Sequence, residues 1–202
     1  MYSIEEKKII LHTQKKVQEL FQNYPIPAHG LEHIKNVVKY IKIIAEKEKA
    51  DIFLSEMSAW LHDIGRTLEI GGGLHGNQHH ELSYKLCQEW FVKDKIYEKL
   101  NKRQKNILLY AVRYHWNNAA DKYEIAWILR DADKLDSLGQ NGIKRTLEFA
   151  GENKNKLDLD LRLRYDIFYW IRTKTAKKII KDKKMMEKID KFYLTRLKKM
   201  II

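Results

Sequence analysis

Apolar residues recur at intervals of three and four along almost the whole chain of 202 residues. This spacing is typical of amphipathic helices, which turn one face toward a core. The chain contains only 2 prolines, so few positions forbid a long helix. The second segment with this pattern carries Ile34, Val37, Val38, Ile41, Ile44 and Ala45 on one face. The sequence therefore predicts an all-α fold.

Capping residues predict where individual helices begin and end. Ser3 and Glu6 have the spacing of a capping box and predict the start of a first helix, and Asp51 predicts the start of a third. Gly65 stands where a helix C-cap is expected, and Gly71 to Gly73 predict a mobile loop. Caps and periodicity then predict helices near 77–92, 101–116 and 121–138.

One passage departs from the helical spacing. Leu157, Leu159, Leu161 and Leu163 alternate with charged residues, as in a half-buried strand, but no partner strand is evident. We therefore expect an extended connection here, leading into two basic helices. These helices are expected to carry Trp170, Ile171, Met186, Ile189 and Tyr193.

No linker marks a second domain, so we expect a single domain over residues 1–202. Its C-terminal part, 152–202, is rich in lysine but retains apolar residues at helical intervals. We expect this basic helical extension to pack onto the main helical bundle.

Composition narrows the class of protein. Hydrophobic residues make up 44% of the chain, which is enough to bury a core. The longest uninterrupted apolar stretch, Ile107 to Val112, is far shorter than the roughly 18 residues of a membrane-spanning helix. A single cysteine, Cys87, cannot form an internal disulfide, and charged residues occupy the N-terminal segment where a signal peptide would be apolar. We therefore expect a cytoplasmic protein without a membrane anchor.

The formal net charge of +12 has two possible explanations. Such a charge would attract nucleotides or nucleic acid through its field, whereas a lysine-rich surface also serves simply to keep a protein dissolved. Both interpretations stay open, and nucleic acid is one candidate partner.

The residues best suited to metal binding are histidines and aspartates near helix ends. Adjacent His62 and Asp63 end an apolar helix, and neighbouring helical residues lie about 100° apart, so both can reach one ion. Asp131 and Asp133 lie about 200° apart, so only one of them is expected to face the site. Imidazole and carboxylate donors suit Mn, Fe, Co, Ni or Zn better than Ca. Further histidines at helix ends are His33, His79, His80 and His115.

Three short runs of the sequence carry a family pattern. They are 29–34 (His-Gly-Leu-Glu-His-Ile), 59–65 (Ala-Trp-Leu-His-Asp-Ile-Gly), and 131–136 (Asp-Ala-Asp-Lys-Leu-Asp) followed by 142–145 (Gly-Ile-Lys-Arg). Together, over about 24–151, they resemble the HD-domain superfamily of metal-dependent phosphohydrolases, and the middle run is the most diagnostic. The resemblance implies a helical bundle with additional C-terminal helices and a catalytic pair, His62 and Asp63. The metal ligands that it implies are His33, His62, Asp63 and Asp133.

Members of that superfamily that hold two metals add two histidines between the His-Asp pair and the final aspartate. His79 and His115 stand in comparable places, with His80 as the alternative to His79. The resemblance thus implies one or two divalent transition metal ions per chain. His115 also continues an apolar stripe, so a histidine hydrogen-bonded within the core is the other interpretation of this residue.

Cationic residues near the three runs are candidates for binding substrate phosphate. They are Arg66, Lys134 and Arg145. Arg66 is equally well placed to interact with the negative, C-terminal end of its helix dipole. Asp136 suits either a salt bridge on the helix surface or the orientation of a metal ligand.

Three functions are consistent with these residues. The resemblance favours hydrolysis of a phosphate ester or anhydride of a nucleotide or similar small molecule, by a water that the metal activates. Some superfamily members use a six-ligand His and Asp set to hold two irons and activate oxygen, which makes a di-iron oxygenase the first alternative. The basic C-terminal helices indicate the second alternative, a non-enzymatic module that binds nucleotide or RNA.

Overall fold

The computed structural model describes residues 2–26, 29–69 and 78–201, and within these ranges it is helical without a β-strand. The predicted all-α fold is therefore confirmed. The helices are α1 (Ile4–Asn23), α2 (Leu31–Lys47), α3 (Ile52–Leu61), α4 (His79–Lys93), α5 (Lys102–Tyr114), α6 (Glu124–Asp136), α7 (Gly139–Ala150), α8 (Lys154–Tyr169), α9 (Lys174–Asp182) and α10 (Met185–Ile201). Two short 3₁₀ helices, Ile64–Leu68 and Lys95–Lys99, follow α3 and α4. The predicted loop at Gly71 to Gly73 lies outside the described residues.

Side-chain caps begin helices at the predicted positions. The hydroxyl of Ser3 accepts a hydrogen bond from the backbone N–H of Glu6, whose carboxylate accepts one in return from the backbone N–H of Ser3. Asp51 accepts a hydrogen bond from the backbone N–H of Leu54 at the start of α3. Each cap satisfies N–H groups that the first helical turn leaves unpaired, so these residues fix where the chain enters each helix.

Four helices form the centre of the fold. α2 packs against both α3 and α6, and α5 packs against the same two helices. The core between them is fully buried and includes Ile34, Ile41, Met57, Leu61, Leu108, Ile128 and Leu135. The same buried cluster continues into the C-terminal third of the chain through Ile171, Ala176, Ile180, Met185 and Ile189. α9 and α10 thus contribute to the main core.

Gly65 does not end a helix, contrary to the prediction. α3 ends at Leu61 with His62 as its C-cap, and Gly65 lies inside the following 3₁₀ helix. A β-carbon at Gly65 would stand 2.4 Å from the carbonyl oxygen of His79 and 2.3 Å from the backbone nitrogen of Ser83. A glycine is needed here because the backbone of α4 passes too close for a side chain.

The predicted extended connection at Leu157 to Leu163 is wrong, because this segment is part of α8. Leu157 and Leu161, four residues apart, are buried and form a small second core with Ala150. Leu159 and Leu163, also four residues apart, are exposed. The alternation of leucine with charged residues therefore comes from a helix with apolar residues on two faces.

The two predicted basic helices are present as α9 and α10, but not with all of the expected residues. Trp170 and Ile171 precede both helices: Trp170 is the exposed C-cap of α8, and Ile171 is buried. Met186, Ile189 and Tyr193 lie in α10 as predicted. No helix in the described ranges is both long and apolar enough to cross a membrane.

Replacing Leu161 by alanine is expected to lower the free energy of unfolding by roughly 2–5 kcal/mol, because a fully buried leucine leaves a cavity that its surroundings fill only in part. Leu11, exposed on α1, provides the matched control, and Leu11→Ala should change the free energy of unfolding by less than about 0.5 kcal/mol. Urea unfolding followed by circular dichroism measures both. Equal effects of the two substitutions would contradict the buried position of Leu161.

Candidate metal centre

Six histidine and aspartate side chains meet where the central helices end. The first turn of α2 carries His33, and the C-terminal end of α3 is followed by His62 and Asp63. The remaining three, at the start of α4, the end of α5 and the last turn of α6, are His79, His115 and Asp133. Because α2, α3, α5 and α6 pack on one another, residues distant in the sequence come together here.

The first group of donors consists of His33, His62 and Asp133. The Nε2 atoms of the two histidines lie 3.3 Å apart, and Oδ1 of Asp133 lies 3.3 Å from Nε2 of His33. The donor atoms all lie within 4.8 Å of one another, a spacing at which one ion can contact all three. Asp131 faces the other way and accepts a hydrogen bond from the backbone N–H of Thr173 at 2.6 Å. Only one of the two aspartates faces the centre, as the helical geometry predicts.

The second group of donors consists of Asp63, His79 and His115. The Nε2 atoms of the two histidines lie 3.3 Å apart. Oδ1 of Asp63 lies 3.5 Å from Nε2 of His79 and 3.6 Å from Nε2 of His115. The ring of His80 packs instead against that of Trp116. The structure therefore brings His79, and not His80, to the centre.

Asp63 joins the two groups. Its Oδ2 lies 3.6 Å from Nε2 of His33 and 3.8 Å from Nε2 of His62, whereas its Oδ1 faces the second group. Oδ1 is buried and accepts no hydrogen bond from any described residue. A buried carboxylate oxygen without a donor is costly, and a cation between the groups would satisfy it.

Hydrogen bonds on the outer side of the rings fix which nitrogen faces the centre. Nδ1 of His62 lies 2.8 Å from the carbonyl oxygen of Ala59, and Nδ1 of His115 lies 2.7 Å from that of Val112. A carbonyl oxygen only accepts, so each Nδ1 carries the proton and each Nε2 presents its lone pair to the centre. This is the arrangement of a metal-ligating imidazole.

Asp136 orients His33 in the same way. Its Oδ2 lies 2.8 Å from Nδ1 of His33 and accepts a hydrogen bond from Nη1 of Arg145 at 3.0 Å. Asp136 is fully buried, so the alternative of a surface salt bridge is wrong. Burial and the positive charge of Arg145 lower the pKa of His33, but hydrogen bonds to Asp133 and Asp136 raise it by more.

Asp63 and three of the four histidines have the charge states that a metal ion requires. Burial would raise the pKa of Asp63, but the positive charge of Arg66 lowers it well below its usual value, so the carboxylate is ionised. Burial lowers the pKa of His62 and of His115, and it lowers the pKa of His79 to about 3, so these imidazoles are neutral. Ionised carboxylates and neutral imidazoles are the forms that bind metal. The residues therefore fit a divalent cation with mixed nitrogen and oxygen ligands.

The three cationic residues singled out in the sequence occupy different places. Nε of Arg66 donates a hydrogen bond to Oδ2 of Asp63 at 2.7 Å, so its guanidinium lies against the centre itself. Lys134 donates a hydrogen bond to the side chain of Asn118. Arg145, unlike the other two, lines a cavity beside the first donor group.

This cavity has a volume of about 520 Å³ and includes His33 and Asp136 in its wall. The apolar part of its wall is formed by Phe21, Pro25, Ile26 and Leu31. The polar part includes Asn36, Asn141, Lys144 and Arg145. Asn36 is not among the candidates predicted from the sequence, although its spacing of three residues from His33 places both on one face of α2 and was the available signal.

Several solved structures share this fold, whereas none of the curated proteins matches the chain. A predicted HD superfamily hydrolase from an uncultured Thermotogales bacterium is 24% identical, covers 93% of this chain and 91% of its own, and has a TM-score of 0.67. Bacillus subtilis YpgQ in complex with ADP is 19% identical, with 97% and 96% covered and a TM-score of 0.69. An HD-superfamily hydrolase from Bacillus thuringiensis is 19% identical, with 96% and 97% covered and a TM-score of 0.66.

The family model of the HD domain matches residues 30–138, which is more than half of the chain. The matched segment spans α2 to α6 and contains every residue of the two donor groups. The adjacent His62 and Asp63, which contribute one donor to each group, lie within this match. On the strength of this match, the chain belongs to the HD domain family.

Proposed function

We propose that this chain is a metal-dependent phosphohydrolase that cleaves a phosphate ester or anhydride of a nucleotide or a similar small molecule. The observation that carries the proposal is the position of Asp63, whose two carboxylate oxygens each face a group of buried histidines. Beside this centre lies the cavity of about 520 Å³, a volume in the usual range for small-molecule sites. A place for a metal ion thus adjoins a place for a phosphorylated compound.

The donor set favours a divalent transition metal, with Mn, Fe, Co, Ni and Zn as candidates, because imidazoles outnumber carboxylates. His33, His62, Asp63 and Asp133 would hold one ion, and Asp63, His79 and His115 would hold a second. A bound divalent ion lowers the pKa of coordinated water toward neutrality and neutralises charge on a phosphoryl group.

The protein's own residues aim the ligands and exclude solvent. His62 and Asp63 are the proposed catalytic pair, and both are buried. Arg66 donates to Asp63, keeps its carboxylate ionised and holds it toward the centre. Burial of the donors also limits the water that competes with a substrate for the centre.

Lys144 and Arg145 are the proposed phosphate contacts. Both line the cavity, and Arg145 lies 3.0 Å from Asp136 at its inner wall. A guanidinium in this position balances the negative charge of a phosphoryl group beside the centre. Arg66 and Lys134 do not line the cavity and are the weaker candidates.

Three observations favour a nucleotide as the substrate. Bacillus subtilis YpgQ, which has the same fold, binds ADP in its crystal structure. The net charge of +12 would draw polyanionic nucleotides toward this chain. The cavity combines an apolar wall, suited to a base, with the amides of Asn36 and Asn141, suited to hydrogen bonds. Binding of nucleic acid and a cytoplasmic location stay predictions.

A di-iron oxygenase is the second candidate function, because the same donors that suit two divalent ions also suit two irons. Loading with iron and adding candidate substrates separates the two functions. An oxygenase would consume oxygen only when its substrate is present, whereas a phosphohydrolase would release its product equally well without oxygen.

Asp63→Asn is expected to lower kcat/KM by at least about 100-fold, because an amide cannot supply the negative charge that both donor groups share. Asp182→Asn, at an exposed ion pair on α9, is the matched control and should keep full activity. Product release from a panel of nucleotides and phosphate esters with Mn²⁺ measures both variants, and circular dichroism checks their folding. An active Asp63→Asn protein would overturn the assignment of the site, and an inactive unaltered protein would count against the hydrolase.

His79→Ala is expected to reduce bound Mn²⁺ from about two ions per chain to about one, because the second group loses an imidazole while the first keeps all its donors. His80→Ala is the matched control, since its ring packs on Trp116 and belongs to neither donor group. Equilibrium dialysis followed by elemental analysis counts the ions. Loss of an ion from His80→Ala but not from His79→Ala would show that the second group is wrongly assigned.

A further inference from the structure

α8 carries a second apolar stripe that faces solvent. Leu157 and Leu161 face the interior, but Leu159 is 61% exposed and Leu163 is 44% exposed. Trp170, the C-cap of the helix, is 57% exposed. A surface helix needs only one apolar face to pack on its own protein, so these outer residues call for another explanation.

The outer residues lie in a line along the helix. With about 100° of rotation per residue, Leu159, Leu163, Asp166 and Trp170 fall within an arc of about 60°. Their spacing of four, three and four residues is that of the seam between two helices packed side by side. Among the described residues, α8 packs against α7 and α10, and neither helix buries this stripe.

One charge of each sign lies on or beside this stripe: Asp166 is within it, and Arg162 lies about 40° to one side of it. Arg162 and Asp166 are both exposed, and neither forms an ion pair or a side-chain hydrogen bond with a described residue. Asp158 of the same helix, by contrast, pairs with Arg196 at 2.9 Å. Arg162 and Asp166 are about one helical turn apart, so their charges lie at two heights on the same side of α8.

We propose that this stripe binds the same stripe of a second copy of the chain, with the two α8 helices antiparallel across a two-fold axis level with Arg164. In this arrangement Arg162 of one copy stands level with Asp166 of the other, and the symmetry repeats the pair. Measured along the helix, Leu159 of one copy lies within one residue of the level of Trp170 of the other copy. The Leu163 side chains of the two copies contact each other near the two-fold axis. The stripe is therefore complementary to itself in charge and in apolar residues.

Self-complementarity favours a second copy as the occupant and an antiparallel orientation. A parallel pair would place each arginine level with an arginine and each aspartate level with an aspartate, which is unfavourable. The net charge of +12 makes two copies repel one another, but this repulsion is screened beyond about 8 Å at physiological salt. No residue of the candidate metal centre takes part, so the interface is independent of the proposed function.

Sedimentation velocity of the full chain over a concentration series at physiological salt tests the interface, and we expect a dimer. Leu159→Glu and Leu163→Glu each change an exposed position, so the helical circular dichroism should persist while the dissociation constant rises by at least about tenfold. Val92→Glu, at an 83% exposed position on α4, is the control and should leave the dimer intact. A monomer in the unaltered protein, or a dimer that survives both α8 substitutions, would overturn the proposal.

An exchange of charges tests the antiparallel orientation. Arg162→Glu places two acidic residues level across the axis, and Asp166→Lys places two basic ones level, so each variant alone should be mainly monomeric. Mixed in equal amounts, the two variants should form a heterodimer, because each introduced charge then faces its opposite. A mixture that associates no better than the separate variants would rule out this pairing.

Discussion

The ionised carboxylate of Asp63, buried among imidazoles, is the constraint on which the rest of the structure depends. Removing such a charge from water costs several kcal/mol unless opposite charges or donors surround it. Arg66 provides one opposite charge, at Oδ2, but Oδ1 has no donor among the described residues. The packing of the central helices therefore holds Asp63 in a position that is energetically unfavourable without a bound cation and favourable with one. Cation binding and the stability of this end of the bundle are consequently linked.

Helix ends supply both the donors and the groups that orient them. His62 and His115 are each the C-cap of their helix, and each bonds the carbonyl oxygen three residues earlier, that of Ala59 or Val112. Carbonyl groups in the last turn of a helix lack a partner within the helix. The hydrogen bond that aims each imidazole thus also satisfies a backbone group. The same local geometry occurs once in each donor group, on two helices distant in the sequence.

Most of the predicted ligands came from the resemblance of the three sequence runs to the HD-domain superfamily, and helical geometry added a constraint at one position. The rotation between Asp131 and Asp133 means that only one of them can face the other donors, and in the packed helices Asp133 does so. The choice between His79 and His80 could not be predicted, since it depends on the register of α4 against the preceding 3₁₀ helix, a contact that no local pattern encodes. The segment from Leu157 to Leu163 was misread for a similar reason. Alternating leucines fit a strand as well as a helix with two apolar faces, and only the packing of α8 on its neighbours distinguishes them.

Gly65 shows how a contact between backbones sets the geometry of the second donor group. Its N–H donates a hydrogen bond to Oγ of Ser83 at 2.8 Å, and the absence of a β-carbon lets the first turn of α4 lie directly against it. His79 opens that turn, with its Nε2 3.5 Å from Oδ1 of Asp63. Any side chain at Gly65 would push α4 outward, and a displacement of about 1 Å is enough to spoil a metal or catalytic site. This glycine, two residues after Asp63, carries no donor atom, yet it fixes the distance at which α4 presents His79 to the centre.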